Sequence, residues 1–284
     1  MKSLVQKLSY FVVFLLCSIL MSCHGDPPFT GGKFTVIENP AVSPDGNRIT
    51  FASFVYGDTV PLHSQYIVSI DGGEECLLFR KRVNAGTESC WSPDGKQIAT
   101  AHGIFTIENN TVTDFRSKSS DMYLFKISDW SPDGKTLLLY FKTEVYLCDT
   151  LFKNIRELPF RAFNPRWMSD GNHIIGEIWS TVWAGTEIGI TDTLCSEMVR
   201  LTYSNINENY QNPAPSPDGA MIAFHKFDGI YVMNSDGNNH QFLDEGRDPA
   251  WTPDSKCIVY VKNDLWKISL DSKEKIQITN MFKQ

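Results

Sequence analysis

One phrase recurs six times along this chain, and no other feature restricts its fold as much. It reads NPAVSPDGNRITFAS from Asn39, ESCWSPDGKQIATAH from Glu88 and ISDWSPDGKTLLLYF from Ile127. It returns as NPRWMSDGNHIIGEI from Asn164, NPAPSPDGAMIAFHK from Asn212 and DPAWTPDSKCIVYVK from Asp248. The anchoring aspartates (Asp45, Asp94, Asp133, Asp170, Asp218 and Asp254) stand 49, 39, 37, 48 and 36 residues apart. These spacings bracket the ~40–45 residues that a four-stranded propeller blade requires. Ser-Pro-Asp-Gly suits a type I turn: Pro presets φ at the first central position, and Gly takes the left-handed conformation that closes a bulged hairpin. A short strand often ending in Trp (Trp91, Trp130, Trp167, Trp251) precedes the turn, and an apolar strand such as Ile98–His102 or Ile258–Lys262 follows it. Two copies depart from the rule, with Ser169 where Pro is expected and Ser255 where Gly is expected. A non-Gly residue held left-handed costs on the order of 1 kcal/mol, which one repeat in six tolerates.

After each phrase comes a second hairpin, for example Ile230–Asn234, the polar turn NSDGNN and a returning strand. Two hairpins per repeat make a four-stranded antiparallel meander, and no stretch beyond the N-terminus sustains the 3.6-residue period of a helix. One meander is an unstable sheet with two apolar faces, whereas six arranged radially bury those faces against one another, with Trp, Phe and Tyr filling the wedges. The fold expected over residues 34–284 is therefore all-β, a six-bladed β-propeller of four-stranded antiparallel blades, at 251/6 or about 42 residues per blade. Two segments compete to close the ring by supplying the last strand of the sixth blade: FTVI at Phe34–Ile37 and KIQITN at Lys275–Asn280.

The six S-P-D-G phrases, with IYVMNSDGNN at Ile230–Asn239 and MVRLTY at Met198–Tyr203, resemble the WD40-like repeats of the TolB propeller family. The resemblance covers about 250 residues and implies the fold, but not the function, since this repeat serves adaptors, peptidase gating domains and enzyme scaffolds. TolB carries a further N-terminal α/β domain that binds partner proteins. Here only some ten residues separate Cys23 from the first expected strand, so a role in the Tol–Pal system does not transfer with the resemblance.

The N-terminus reads as an export signal rather than as part of the fold. Lys2 and Lys7 precede a run from Tyr10 to Met21 that is apolar except for Ser18. The run is shorter than the ~20 apolar residues of a spanning helix. Leu20-Met21-Ser22-Cys23 then resembles a bacterial lipobox, in which the Cys is diacylated and becomes the new N-terminus. Two acyl chains make membrane residence stable where one does not. The expected organisation is a signal peptide over 1–22, the lipidated Cys23 with a Gly- and Pro-containing tether over 23–33, and the propeller over 34–284. With Asp26 the one acid near Cys23, no acidic surface-export tract follows the anchor. The expected location is the periplasmic face of the outer membrane.

Net charge is −7, and without Lys2 and Lys7 the chain carries 24 basic and 33 acidic residues, a net of −9. Nucleic acid is thereby excluded as a partner expected from charge, since phosphate binding needs clustered cations. Beyond Cys17 and Cys23, the five cysteines (Cys76, Cys90, Cys148, Cys195, Cys257) are scattered singly. They form no C-x-x-C motif and no disulfide framework. No cofactor or metal set is expected, and the turn aspartates lack the ligand spacing of a calcium loop.

Catalytic chemistry finds no anchor: G-x-S-x-G is absent and no hydrolase domain follows the repeats. His102, Glu177 and His225 lie near the ends of the strands after their turns. However, His102 stands eight residues after its anchor Asp, while Glu177 and His225 each stand seven after theirs. Successive strand residues point to opposite faces, so His102 is expected to turn away from the other two. His63 and His240 fall in expected loop or turn contexts.

Two insertions, Phe54–Gln65 and Trp179–Thr186, point to recognition, because loops on one propeller face carry binding. Trp179 and Trp183 are the ligand-binding candidates, Trp being a frequent anchor for a protein hot spot or a sugar ring. The expected function is non-enzymatic, a membrane-anchored propeller binding a protein or peptide of the cell envelope. The alternative is a carbohydrate-binding or carbohydrate-active propeller, lyase- or hydrolase-like, with its site at the central channel.

Overall fold

The computed structural model describes residues 34–56, 62–82, 88–100, 102–109, 111–113, 125–181, 185–205 and 208–281. Cys23 and Trp183 lie outside them. The described residues form six four-stranded antiparallel sheets and no helix. Blade 1 holds β1 (Phe34–Val42), β2 (Arg48–Tyr56), β3 (Leu62–Ser69) and β4 (Cys76–Arg82). Blade 2 holds β5 (Ser89–Trp91), β6 (Gln97–Thr100), β7 (Gly103–Thr106) and β8 (Thr111–Thr113). In blade 3 come β9 (Lys126–Trp130), β10 (Thr136–Phe141), β11 (Glu144–Asp149) and β12 (Arg156–Arg161). Blade 4 is β13 (Phe163–Trp167), β14 (His173–Trp179), β15 (Thr186–Asp192) and β16 (Met198–Arg200). Blade 5 contributes β17 (Tyr210–Pro215), β18 (Met221–Lys226), β19 (Gly229–Asn234) and β20 (Gln241–Glu245). Blade 6 ends the chain with β21 (Arg247–Trp251), β22 (Cys257–Lys262), β23 (Asp264–Ser269) and β24 (Lys275–Gln277).

Six apolar clusters occupy the six seams. Trp91, Ile98 and Phe105 of blade 2 meet Ala41 and Ile67 of blade 1, and Cys90 and Ala99 meet Ile127 and Leu139 of blade 3. Further round, Leu138 and Phe160 pack on Trp167 and Ile174, and Ile175 and Ile188 on Ile222 and Phe224. Ile230 and Val232 then pack on Ile258 and Tyr260. The last cluster joins Val259, Val261 and Leu265 of blade 6 to Ile37, Ile49 and Phe51 of blade 1, which makes the array a closed ring.

Neither terminal segment closes that ring by strand exchange. Phe34–Ile37 runs on into β1 and pairs with β2, while Lys275–Gln277 pairs with β23 of its own blade. KIQITN therefore supplies the last strand of blade 6 as β24, and FTVI begins the first strand of blade 1; with no strand exchanged, side-chain packing and cross-blade hydrogen bonds form the closing seam.

The recurrent turn is built as its chemistry dictates. In blade 2 the Ser92 hydroxyl donates to Asp94 Oδ1 at 2.6 Å and accepts from Gln97 N at 2.9 Å, while Asp94 Oδ1 accepts from Lys96 N at 3.1 Å. The Ser92 hydroxyl and the Lys96 amide hold the Asp94 carboxyl below its usual range. Blades 3, 5 and 6 repeat the pattern through Ser131, Ser216 and Thr252. Blade 4 has Met168 in place of the hydroxyl, and Met168 joins the core with Ile175 and Ile188 instead.

These turns also touch one another in a circle. A Cβ added to Gly46 (φ +75°) would lie 3.6 Å from Pro253, and one added to Gly95 would lie 3.8 Å from Pro44. The contacts continue from Gly134 to Pro93 and from Gly171 to Pro132. Both irregular copies flank the turn of blade 5: Ser169 faces Gly219, and Ser255, held at φ +58°, accepts a hydrogen bond from Asp218 N at 3.1 Å.

Because apolar packing spans the closing seam, its two sides are energetically coupled. Ile37→Ala and Leu265→Ala should each cost about 2–5 kcal/mol. The double variant should lose less than their sum by about 0.5–3 kcal/mol, measured by urea unfolding. Strict additivity would mean that the seam does not transmit stability.

Candidate functional site

Because strands alternate in direction, each S-P-D-G turn and each turn between third and fourth strands lies at one end of the axis. Turns between second and third strands, and the connections between blades, lie at the other end, here termed the loop face. Both insertions belong to it.

The first strand of each blade borders the axis, and in blades 1, 4, 5 and 6 the dipeptide Asn-Pro or Asp-Pro sits near its loop-face end. Asn39, Asn164, Asn212 and Asp248 all have positive φ, between 44° and 55°. Asn and Asp tolerate that conformation better than other side chains. Each lies at a β-bulge, and the following Pro is harmless on a strand whose outer N–H groups have no ladder partner. The bulge re-aims the Asn or Asp side chain along the ring instead of along the blade.

The result is a polar belt spanning the blades. Asn39 N donates to Asp248 Oδ2 at 3.3 Å, and Asn212 Nδ2 donates to Asp248 Oδ1 at 2.5 Å. Asn164 Nδ2 donates to Asn212 Oδ1 at 2.6 Å. The single Tyr140 hydroxyl proton is shared between Asn164 Oδ1 at 2.8 Å and Glu88 Oε1 at 2.7 Å, and Glu88 Oε1 also accepts from Lys126 Nζ at 3.0 Å. Between blades 2 and 1, Gln65 Nε2 donates to Ser89 Oγ at 3.1 Å.

Glu177 joins this belt, its Oε1 accepting from Asn164 Nδ2 at 2.6 Å and from Asn212 N at 2.8 Å. Burial pushes its carboxyl up, helped by the negative charge of Asp248 and opposed by the two amides. Burial also acts on Glu88, but the Lys126 charge and the Tyr140 hydroxyl outweigh it and hold that carboxyl low. His225, in the register of Glu177, has its pKa lowered by burial against the pull of Asp248. Glu177 and His225 thus share the Asp248 sector of the belt, as their common offset from the turn implies.

His102 does turn away from them. It enters the seam between blades 1 and 2, where its Nε2 stands 3.0 Å from His63 Nδ1. This placement corrects the loop context expected for His63, which lies buried within β3. Phe54 stacks on the His63 ring at 4.8 Å and Phe79 meets it edge-on at 5.7 Å. The expected insertion Phe54–Gln65 is correspondingly an elongated hairpin, with 54–56 in β2 and 62–65 in β3, because its residues alternate into this aromatic box. His240, in the turn before β20, donates from Nε2 to Gly237 O at 3.0 Å, within its own turn.

Trp179 ends β14 at the loop face and is 52% exposed, its ring meeting Phe163 edge-on at 5.5 Å. In the neighbouring connection and the next blade, Tyr203 is 73% and Phe227 56% exposed, both on the loop face. Trp179 also lines a groove of about 540 Å³ between blades 3 and 4, with Leu158, Pro159, Phe160, Met198 and Arg200. Arg200 is ion-paired with Glu187 and also donates to the Trp179 carbonyl at 3.1 Å. Apolar surface therefore outweighs free charge here. Among the described residues, no group of three or more His, Cys, Asp or Glu side chains is placed to hold a metal ion.

Six WD40-like blades with a hydrogen-bonded axial belt define a repeat propeller. Among solved structures, the chain is similar to TolB from Acinetobacter baumannii, with a TM-score of 0.62 and 19% identity over 90% of this chain and 66% of that one. It thus spans just under two thirds of that protein's length. A putative TolB from Agrobacterium tumefaciens gives 0.59 and 21% identity over 80% of this chain and 91% of that one. The tricorn protease gives 0.61 and 15% over 86% of this chain and 26% of that one. What these proteins share with the chain is the fold, a TolB-like six-bladed propeller. No protein-family profile and no curated protein sequence matches it.

The belt is expected to behave as one unit. Tyr140→Phe strands Asn164 Oδ1 and weakens the neutralisation of buried Glu88, so it should lower unfolding free energy by about 1–3 kcal/mol. Denaturant titration measures this, and a change below the scatter would show that Tyr140 is not a member of the network.

Proposed function

We propose that this protein is a non-enzymatic binding propeller of the bacterial cell envelope that takes a protein or peptide partner on its loop face. One observation carries the reading: three large aromatic side chains, Trp179, Tyr203 and Phe227, stand exposed on the same face across blades 4 and 5. Exposed aromatics of this kind form the anchors of protein hot spots, and the groove running from Trp179 gives an apolar side chain somewhere to go. The belt beside them supports binding over catalysis, because its carboxylates and amides are bonded to one another.

Membrane attachment through diacylated Cys23 completes the proposal, with the periplasmic face of the outer membrane as its site. β1 starts at the loop face, so the chain enters the propeller there. Cys23 precedes Phe34 by eleven residues, a reach of about 36–40 Å when fully extended. A tether of that length would keep the propeller within reach of partners at the membrane surface.

Two experiments test the two halves. With a photo-crosslinking residue in place of Tyr203 in cells, a discrete protein adduct should form and should fall at least tenfold with Trp179→Ala. An adduct indifferent to Trp179 and Phe227 overturns the surface. Trp179-dependent retention on envelope polysaccharide, with no protein adduct, selects the carbohydrate reading instead. Separately, Cys23→Ala should move the protein from the membrane to the soluble fraction, and an unchanged membrane fraction removes the anchor.

A further inference from the structure

Phe227 holds its place on the aromatic surface at a conformational cost. Lys226 pairs directly with Gly229, so Phe227 and Asp228 alone turn β18 into β19. The φ of Phe227 is +54°, a value that Gly, Asn and Asp adopt readily in such turns and a bulky aromatic residue seldom does. Burial does not repay this strain, because the side chain is exposed. Strained residues of this kind gather at sites of binding.

A frame of ion pairs links Phe227 to the other two exposed aromatics. Arg200 is paired with Glu187 and donates to the Trp179 carbonyl at 3.1 Å. Glu187 Oε1 also accepts from the Ser204 amide at 3.1 Å and the Ser204 hydroxyl at 3.0 Å, which fixes the backbone beside Tyr203. Glu208 accepts from the Asn205 amide at 3.1 Å and stands 3.1 Å from Lys226 Nζ. That ammonium lies 4.6 Å from the Tyr210 ring centre and 5.6 Å from that of Phe227. Trp179, Tyr203 and Phe227 are therefore carried on one bonded scaffold across blades 4 and 5.

The scaffold decides which charge a partner meets. Arg200 and Lys226 are its cations, and no other Lys or Arg occurs between Trp179 and Phe227. Both are neutralised, with all four side chains of the two pairs at most 20% exposed. Asp228 is exposed next to Phe227, and its carboxylate has no ion pair or hydrogen bond among the described residues. The outward surface thus combines aromatic faces with an unneutralised carboxylate. Aromatic faces attract cations, and a guanidinium both stacks on a ring and forks onto a carboxylate. Anionic headgroups and acidic polysaccharides are repelled at the same place.

We propose that this surface selects a basic segment of its partner, with an arginine guanidinium stacked on Phe227 and paired with Asp228. The inference rests on the loop face being the partner-binding surface, and adds the chemistry of what is bound there. Attraction to an exposed carboxylate is screened by salt, so binding weakens as ionic strength rises.

Titration of the full-length chain, in an uncharged detergent, with tetra-arginine tests the chemistry before any partner is known. The amide resonances of 226–229 and the Trp179 indole should shift, and tetra-glutamate should leave them in place. Asp228→Lys should weaken tetra-arginine binding about tenfold. Phe227→Gly, which suits the turn, should weaken it about threefold while raising the unfolding midpoint. Asp271→Lys, in the turn between β23 and β24 at the opposite end of the axis, should leave it unchanged. An equal response to tetra-glutamate, or binding indifferent to Asp228→Lys, overturns the inference. In cells, a Tyr203 adduct that needs Trp179 but survives Asp228→Lys keeps the partner surface and overturns its choice of a cation. Tetra-arginine binding that follows these variants, with no adduct in cells, supports the cationic site and removes its assignment to a protein partner.

Discussion

Apolar side chains wedged between neighbouring sheets are the interaction on which this structure depends. A single blade of this chain has two faces to bury and cannot bury either alone. Each seam does so for two blades at once, which is why Leu138 and Leu139, adjacent on β10, belong to different clusters on opposite sides of their blade. Removing one blade would expose two clusters, so the ring stands or falls in units larger than a repeat. The same logic explains why a buried Met168 displaces the turn hydroxyl in blade 4: a core contact outweighs one of several hydrogen bonds in an exposed turn.

Two circular systems sit at the two ends of the axis. At one end, turns meet through Pro and Gly with little polar chemistry. At the other, left-handed Asn and Asp residues turn sideways and bond across blades. Ring closure is thus set twice, by shape at the tight end and by hydrogen bonds at the loop face. The proposed binding surface sits on the second, more polar end, where the insertions vary the outline without disturbing the packed seams.

Much of this was legible in the residues. The S-P-D-G spacing carried the blade count, the strand order and the face on which insertions fall, because turn chemistry and period 2 are local properties. Strand offsets also separated His102 from Glu177 and His225. The belt was not read, although its signal was printed in four repeats as Asn-Pro or Asp-Pro: only the folded ring shows that a bulge turns those side chains toward the next blade. Tyr140 had no signal, since it substitutes for the amide that Ile127 of blade 3 lacks. His63 was misplaced because an insertion in a repeat reads as a loop, whereas here it prolongs a hairpin whose partners come from blade 2. Closure was open in the sequence for a related reason, as two β-prone termini compete equally until packing decides.

Closure without an exchanged strand has a consequence for how the molecule bears load. In a ring fastened by a swapped strand, tension on either end is resisted by a ladder of backbone hydrogen bonds joining first and last sheets. Here β1 and β24 each pair within their own sheet, so a pull applied at the N-terminal side works against side-chain packing and a few isolated polar bonds, such as Asn39 to Asp248, at a single junction. Such contacts are short-ranged and yield together once separated by the width of a water molecule. The junction between first and last blades is accordingly where this ring would part under force, with each sheet still intact on either side of the break.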